Sequence, residues 1–195
     1  MTISDRVRVK NVSVLSHRHY RLDEVEFEYR RANGEWQKQK REVFERGHAA
    51  TLLPYNIATR TVVLTRQFRL PPYLAGYDDL MIEAAAGMLD DETPEKRIRS
   101  EAEEEIGYRL HDVRKVFEAF MSPGAVTEKL HFFVAEYDSA IRIGDGGGIA
   151  EEGEDIEVLE LPIDQALAMI SDGRIADAKT VMLLYHAKLH LFAPG

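Results

Sequence analysis

Apolar and polar positions change period several times along the chain, and each change predicts an element. Residues Val7 to Leu15 carry apolar side chains at alternating positions, the period of one or two short strands. Glu24 to Tyr29, E-V-E-F-E-Y, alternates cleanly, and Asn33-Gly34 after it is the strongest short hairpin signal. A return strand is expected from Trp36 to about Phe44. This opening segment therefore predicts a small antiparallel sheet with an apolar side to cover. Trp36, the only tryptophan, is expected to pack in it or at a subunit interface.

A second block begins near His48. Ala50 to Tyr55 and Thr61 to Gln67 read as strands joined at Asn56, and the run T-V-V-L is what a strand buried on both faces looks like. Pro71-Pro72 breaks the pattern, and Met81 to Ala86 reads as a short strand. Val113 to Phe120 and Leu130 to Tyr137 are two more, separated by the turn M-S-P-G-A-V-T-E-K. Asp138 to Gly153, acidic and containing Gly146-Gly147-Gly148, is expected to be a mobile loop. Ile156 to Leu161 predicts a strand, Pro162 and Asp164 open a helix that Gly173 closes, and Asp177 caps a last helix to about Leu191. Strands and helices mix without regular alternation, which predicts the α+β class in two domains, residues 1–47 and 48–195.

Between these elements lies A-G-M-L-D-D-E-T-P-E-K-R-I-R-S-E-A-E-E-E-I-G-Y, Ala86 to Tyr108. Thr93 can cap a helix, Pro94 suits its first turn, and Gly107 fits the position just past its end. At about 3.6 residues per turn, Glu101, Glu104 and Glu105 share one face, beside an apolar stripe of Ile98, Ala102 and Ile106. Like charges one turn apart repel by a few tenths of a kcal/mol per pair. An ordinary solvated acidic face has this spacing too, but a hard divalent cation with oxygen ligands would reverse the penalty.

The chain has 195 residues and 45% apolar composition, enough for a sizeable core. Cysteine is absent, so thiolate metal sites and disulfides are excluded. The net charge of −9 argues against a general nucleic-acid or anionic-membrane binder, though not against a small phosphorylated substrate met by local cations. The start, M-T-I-S-D-R-V-R-V-K, lacks the apolar core of a signal peptide, and the expected location is cytoplasmic. His186 and His190 lie one turn apart, but Ala187 stands where H-E-x-x-H needs glutamate, so these and His17 and His19 read as surface residues. The triple glycine is not followed by G-K-[ST] and is not read as a P-loop.

The glycine loop, the acidic Glu92 and the run E-A-E-E-E-I-G-Y together resemble the signature of the Nudix hydrolases, G-x5-E-x7-R-E-U-x-E-E-x-G-U with U apolar. The loop is one residue short between Gly87 and Glu92, and Ser100 stands at the arginine position, with Arg97 and Arg99 as neighbours that could orient the carboxylates. The resemblance implies a Nudix fold, a mixed sheet sandwiched between helices, and a small N-terminal antiparallel sheet domain. It implies Mg2+ as cofactor, with Mn2+ as the alternative, held by Glu101, Glu105, Glu154 and the carbonyl of Ala86. Glu104 is a further catalytic candidate, and Glu152 matches the position proposed as general base.

The segments K-R-E-V, R-Q-F-R, M-S-P-G-A-V-T-E and A-K-T-V are similar, in order, to those of the nucleotide-sugar pyrophosphatase branch that cleaves GDP-mannose. On that likeness Tyr20, Lys40, Arg41, Glu42, Arg69, Gly87, Met88, Glu128 and Lys179 match substrate-contacting positions. A nucleoside diphosphate sugar is the implied substrate and a homodimer with a swapped N-terminal domain the implied assembly. ADP-ribose pyrophosphatase and a non-catalytic nucleotide sensor are the alternatives.

Overall fold

The computed structural model describes residues 2–138, 141–149, 151 and 153–193. The chain divides into two compact units, Met1–His48 with Phe120–Lys129, and Ala49–Ala119 with Leu130–Gly195.

The first unit holds an antiparallel sheet of β1 (Val7–His17), β2 (Arg21–Arg30) and β3 (Trp36–Glu45), in that order. The β2–β3 turn is looser than a two-residue hairpin: Arg30 pairs with Trp36, and Gly34 takes a left-handed φ of 89° within the connection. β1 is one long strand, not two. Its register shifts between Val9 and Asn11 and again between Val14 and Ser16. The first shift is decisive for the pattern. Val7 and Val9 stand opposite Tyr29 and Phe27, and Val12 and Val14 opposite Val25 and Asp23. All four partners are odd-numbered residues of one strand, so the four valines share one face although their own numbers change parity. The other face is polar, with Lys40 bound to Glu24 and Glu26 and Lys10 to Glu28.

The segment 120–129 belongs with this unit, which an expected boundary at residue 47 leaves out. The reason is backbone pairing. Phe44 N–H donates to the Ala125 carbonyl at 2.8 Å, and Thr127 N–H donates to the Phe44 carbonyl at 3.1 Å.

The second unit is built on a seven-stranded mixed sheet. Its strands are β4 (Ala49–Asn56), β5 (Thr61–Gln67), β6 (Met81–Glu83), β7 (Ala85–Met88), β8 (Arg114–Phe120), β9 (Lys129–Glu136) and β10 (Glu157–Pro162). The order is β10-β5-β4-β9-β8, with β6 paired to β5 and β7 to β4. β4 runs parallel to β9 and antiparallel to β5 and β7. Four helices follow the chain: α1 (Leu70–Leu74), α2 (Pro94–Glu101), α3 (Ile163–Ser171) and α4 (Ala178–His190). Ala49 to Pro54 are all buried, because helices cover β4 on both sides. Ala50 and Leu52 pack with Ile98, Ala102 and Ile106 of the glutamate helix, while α4 also packs on β4. The fold is thus the expected mixed sheet between helices.

Two local differences matter for the site. The expected strand Met81–Ala86 is split at Ala84, whose N–H donates to the Thr180 hydroxyl at 2.7 Å instead of to a neighbouring strand. Pro71-Pro72 do more than stop β5: they open α1, where a missing N–H costs nothing. Among the described residues no helix is long and apolar enough to cross a membrane.

Candidate active site

The glutamate helix begins as expected at Pro94, with Thr93 at the N-cap, although the Thr93 side chain makes no capping bond. After Glu101 the α-geometry gives way to a wider turn with i→i+5 hydrogen bonding, Ala102–Ile106. Such turns occur mostly as single insertions inside α-helices, frequently at functional sites. Gly107 ends it in the left-handed region at φ 74°. Ile98, Ala102 and Ile106 have no solvent exposure, so the apolar stripe anchors the helix. That anchoring also carries Glu101 and Glu105 inward, to 5% and 2% exposure.

Burying carboxylates is costly without partners. Burial pushes Glu105 up to about 8; Glu101 and Glu154 add to this, and the Ala86 N–H and Arg69 oppose it. Burial likewise pushes Glu101 up to about 7, with Arg97 opposing and Glu104 and Glu154 adding. Glu101, Glu104, Glu105 and Glu154 therefore form one mutually repelling group. Glu105 accepts from the Ala86 N–H at 3.1 Å. Glu101 pairs with Arg97 one turn earlier, whereas Arg99 is spent on the Leu110 carbonyl and Glu95. Of the two arginines beside Ser100, Arg97 is thus the one that orients a carboxylate. Gly87 lies directly against Glu101: a Cβ there would overlap its carboxylate.

The loop after β9 is fastened to this helix. Gly147 N–H donates to the Glu105 carbonyl at 3.0 Å and Gly148 N–H to the Glu104 carbonyl at 3.2 Å. The three glycines of this run all have positive φ, so the sequence needs glycine there for conformation, not for cradling phosphate. Beyond the clip, Glu154 accepts from the Ile149 N–H at 2.9 Å. The described part of the expected mobile loop is therefore tied to the end of the helix. Glu152 lies outside the described residues.

Among the described residues no three acidic or imidazole side chains converge closely enough to enclose a cation. Glu101 is turned onto Arg97, Glu105 onto the Ala86 amide and Glu154 onto the Ile149 amide. The donor set still fits a hard divalent ion. It is all oxygen, it repels itself, and a cation would relieve the repulsion that raises two of its members.

A second cluster is cationic. Arg69, at the N-cap of α1 just after β5, donates through Nε to Glu83 at 2.7 Å, and Lys179, in the first turn of α4, donates to the other Glu83 oxygen at 2.7 Å. Arg69 also lies in the field of Glu105, so the two clusters meet there. Met88 ends β7 opposite Ala49.

The remaining candidates lie in the first unit. The Tyr20 ring meets Phe44 edge-on at 5.5 Å, the Arg46 guanidinium lies 5.5 Å from the Tyr20 centroid, and Arg46 pairs with Glu128 at 3.5 Å. Lys40, Arg41 and Glu42 are consecutive on β3 and so point to alternate faces. Lys40 is held by Glu26 and Glu24, which push it up to about 12. Arg41 donates to the Lys40 carbonyl at 2.7 Å and to Gln39 at 3.0 Å, and it lines an apolar hollow with Val25, Phe27 and Val43.

Residues 6–44 match the family described as GDP-mannose pyrophosphatase NudK N-terminal domain. Over 99% of its length the chain is 52% identical to the whole of a GDP-mannose pyrophosphatase from Pectobacterium atrosepticum. It is 49% identical to one from Citrobacter koseri, covering 93% of this chain and 95% of that protein. A crystal structure of an ADP compounds hydrolase superposes with a TM-score of 0.70, covering 92% of this chain and 91% of that one at 19% identity, and so shares the fold. The chain belongs to the GDP-mannose pyrophosphatases of the Nudix family. Nudix pyrophosphatases are hydrolases that generally use a divalent metal, and the acidic group described above is the feature of this chain suited to one.

Several residues of this constellation were not singled out by sequence reasoning. Glu83 is the plainest. Its signal was there to read, as the one charged residue in M-I-E-A-A-A, since a buried charge is more informative than an exposed apolar residue. His186 also differs from its surface reading: it is half-buried, its ring edge-on to Phe117 at 5.8 Å and tilted against His190 at 4.7 Å.

The raised carboxyls carry a pH signature. Their folded values lie above the ordinary value of 4.5, so their contribution to stability is complete below about pH 4.5 and is lost as pH rises through about 7 and 8. Chelator-treated protein should therefore lose stability progressively between about pH 4.5 and 8, on the order of a few kcal/mol. Denaturant midpoints across that range measure it. The Glu105→Gln variant should show a shallower decline, and an equal decline would mean the loss arises elsewhere.

Proposed function

We propose that this chain is a Mg2+-dependent, cytoplasmic nucleotide-sugar diphosphatase that hydrolyses the pyrophosphate bond of GDP-mannose or a close analogue to a nucleoside monophosphate and a sugar 1-phosphate. The observation that carries this reading is the meeting of two opposite clusters at Arg69, carboxylates on one side and a cation pair on the other. The full-length identity to GDP-mannose pyrophosphatases supports the choice of substrate.

Glu101, Glu105, Glu154 and the Ala86 carbonyl are the proposed metal ligands. Mg2+ bound there would supply charge neutralisation at the diphosphate and a more acidic water. The chain's own residues do the rest. Arg69 and Lys179 donate to phosphate oxygens, which fixes the diphosphate. Gly87 keeps backbone, without a side chain, next to Glu101. Glu104 and Glu152 are the candidates for taking a proton from the attacking water. Tyr20, Lys40, Arg41, Glu42, Met88 and Glu128 are the proposed contacts to base and sugar. The first unit is proposed to mediate a homodimer with its N-terminal sheet exchanged between subunits.

Substrate choice gives the test. GDP-mannose and ADP-ribose share a diphosphate, so metal and Arg69 serve both. Discrimination comes from groups that pair with the guanine or mannose edges, because a buried partner left unpaired penalises the wrong ligand. With matched Mg2+, kcat/KM for GDP-mannose should exceed that for ADP-ribose at least about tenfold, which corresponds to roughly 1.4 kcal/mol. Glu128→Gln should narrow the ratio more than Arg69→Ala. Faster cleavage of ADP-ribose would overturn the substrate assignment and leave the family membership standing.

A further inference from the structure

Glu83 sits at the last position of β6, just before the split at Ala84, and is 6% exposed. A carboxylate so placed needs full compensation. It receives one cation on each oxygen. Arg69 Nε donates to Oε2 at 2.7 Å, and Lys179 Nζ donates to Oε1 at 2.7 Å. Burial pushes this carboxyl up, but Lys179 and Arg69 outweigh it and hold Glu83 below the ordinary carboxylate range. It stays ionised.

The elements that meet at Glu83 are themselves locked. Asp177 caps α4 by accepting from the Thr180 N–H at 3.0 Å and its hydroxyl at 2.5 Å, and the Thr180 hydroxyl in turn takes the Ala84 N–H at 2.7 Å. Asp177 also meets Lys179 at 3.0 Å. The cations thus come from two places far apart in sequence, the N-cap of α1 and the start of α4, and Glu83 is the group common to both. The bonding leaves donors over. A guanidinium has five N–H groups in a rigid fork, and Glu83 takes only Nε, while the Arg69 side chain stays 40% exposed. An ammonium has three, of which Glu83 and Asp177 take two.

We propose that Glu83 is a positioning residue of the diphosphate site: it aims the outer edge of Arg69 and the remaining donor of Lys179 at one anionic group. This rests on the proposed hydrolysis of a nucleoside diphosphate sugar. A carboxylate that gripped both guanidinium edges would spend the donors that phosphate needs, and a neutral residue would let two like charges drift apart. Glu83 therefore acts through Arg69 and Lys179 and makes no contact with substrate itself.

The test uses the full-length protein with Mg2+. In Glu83→Gln the amide can still accept from one cation but turns an N–H toward the other. KM for GDP-mannose should rise at least about tenfold while kcat and the Mg2+ concentration for half-maximal activity change little. Because Glu83 works through Arg69, Glu83→Gln and Arg69→Ala should be strongly non-additive: in the Arg69→Ala background, Glu83→Gln should add at most about threefold to KM. Glu83→Asp keeps the charge but withdraws it, and should fall between wild type and Glu83→Gln in KM; it also serves as the readable variant where Glu83→Gln unfolds. An unchanged KM, fully additive effects, or a loss of kcat in step with melting temperature would each overturn the proposal and leave Glu83 as a brace between β6 and α4. Wild-type protein that cleaves no GDP-mannose would instead remove the functional reading. Calorimetric binding of inorganic pyrophosphate with Mg2+, weakened at least about tenfold by Glu83→Gln, then tests the positioning role alone.

Discussion

Glu105→Gln will abolish most of the activity and most of the stabilisation by Mg2+, while leaving the fold intact. The Glu105 carboxyl is 2% exposed and, among the described residues, accepts from the Ala86 N–H. Glutamine has the same shape and its carbonyl oxygen can keep that bond, so the variant should fold. It should even be the more stable of the two at pH 8 without metal, since a buried, repelled carboxylate is replaced by a neutral amide. With metal the order reverses. A ligand at 100 times its dissociation constant adds about 2.7 kcal/mol to the native state, roughly 5–10 °C in melting temperature for a chain of this size. Wild type should show that rise with millimolar Mg2+ and product nucleotide, and the variant should lose most of it. Activity should fall by about 10^2–10^3-fold, the usual cost of removing one preorganised electrostatic group. Scanning calorimetry and initial rates measure the two effects. A fully active variant, or one with the wild-type Mg2+ shift, would remove Glu105 from the proposed ligand set.

The acidic half of the site was legible in the sequence because it is local. Glu101, Glu104 and Glu105 lie within one turn and a half of helix, and helix periodicity alone puts them together beside Ile98, Ala102 and Ile106. The same applies to the N-terminal hairpin and the Asp177 cap, each fixed by residues a few positions apart. What escaped was non-local or broke the period. Glu83 meets Lys179 across 96 positions of sequence, and no spacing rule links them. The glycine clip joins 147 and 148 to backbone carbonyls of 105 and 104, groups that carry no sequence signal. The split of Met81–Ala86 depends on a single hydroxyl, that of Thr180. In β1 the shift near Lys10 puts Val9 and Val12 on one face, which strict alternation would separate.

That shifted register leads to the last expected result, that the protein is a dimer which β1 helps to hold. The face shared by Val7, Val9, Val12 and Val14 continues across Tyr29, Phe27 and Val25 of β2. Over the inner strands it is roofed by the segment 123–127, which lines a hollow with Val25, Phe27 and Val43. Over β1 nothing among the described residues of this unit covers it: Val9, Val12 and Val14 are 60%, 47% and 53% exposed. A row of valines on an unpaired edge strand is a liability in a free monomer and is usually covered or charged. Covering by a second copy fits the proposed exchange of this sheet, and a three-stranded sheet gains from such packing because it is marginal alone. Light scattering should report twice the chain mass. Val12→Lys with Val14→Lys should give a monomer at micromolar concentration with its secondary structure retained, because both positions already face outward. Deleting residues 1–45 is harsher. It removes Tyr20 and Arg41 and strips the Ala125 carbonyl and Thr127 N–H of their partner, Phe44, so monomer or aggregate with activity reduced at least about a hundredfold is expected. A dimer that survives the double lysine substitution would place the interface elsewhere, and a fully active monomer after the deletion would refute both the proposed interface and the proposed contribution of Tyr20 and Arg41 to the site.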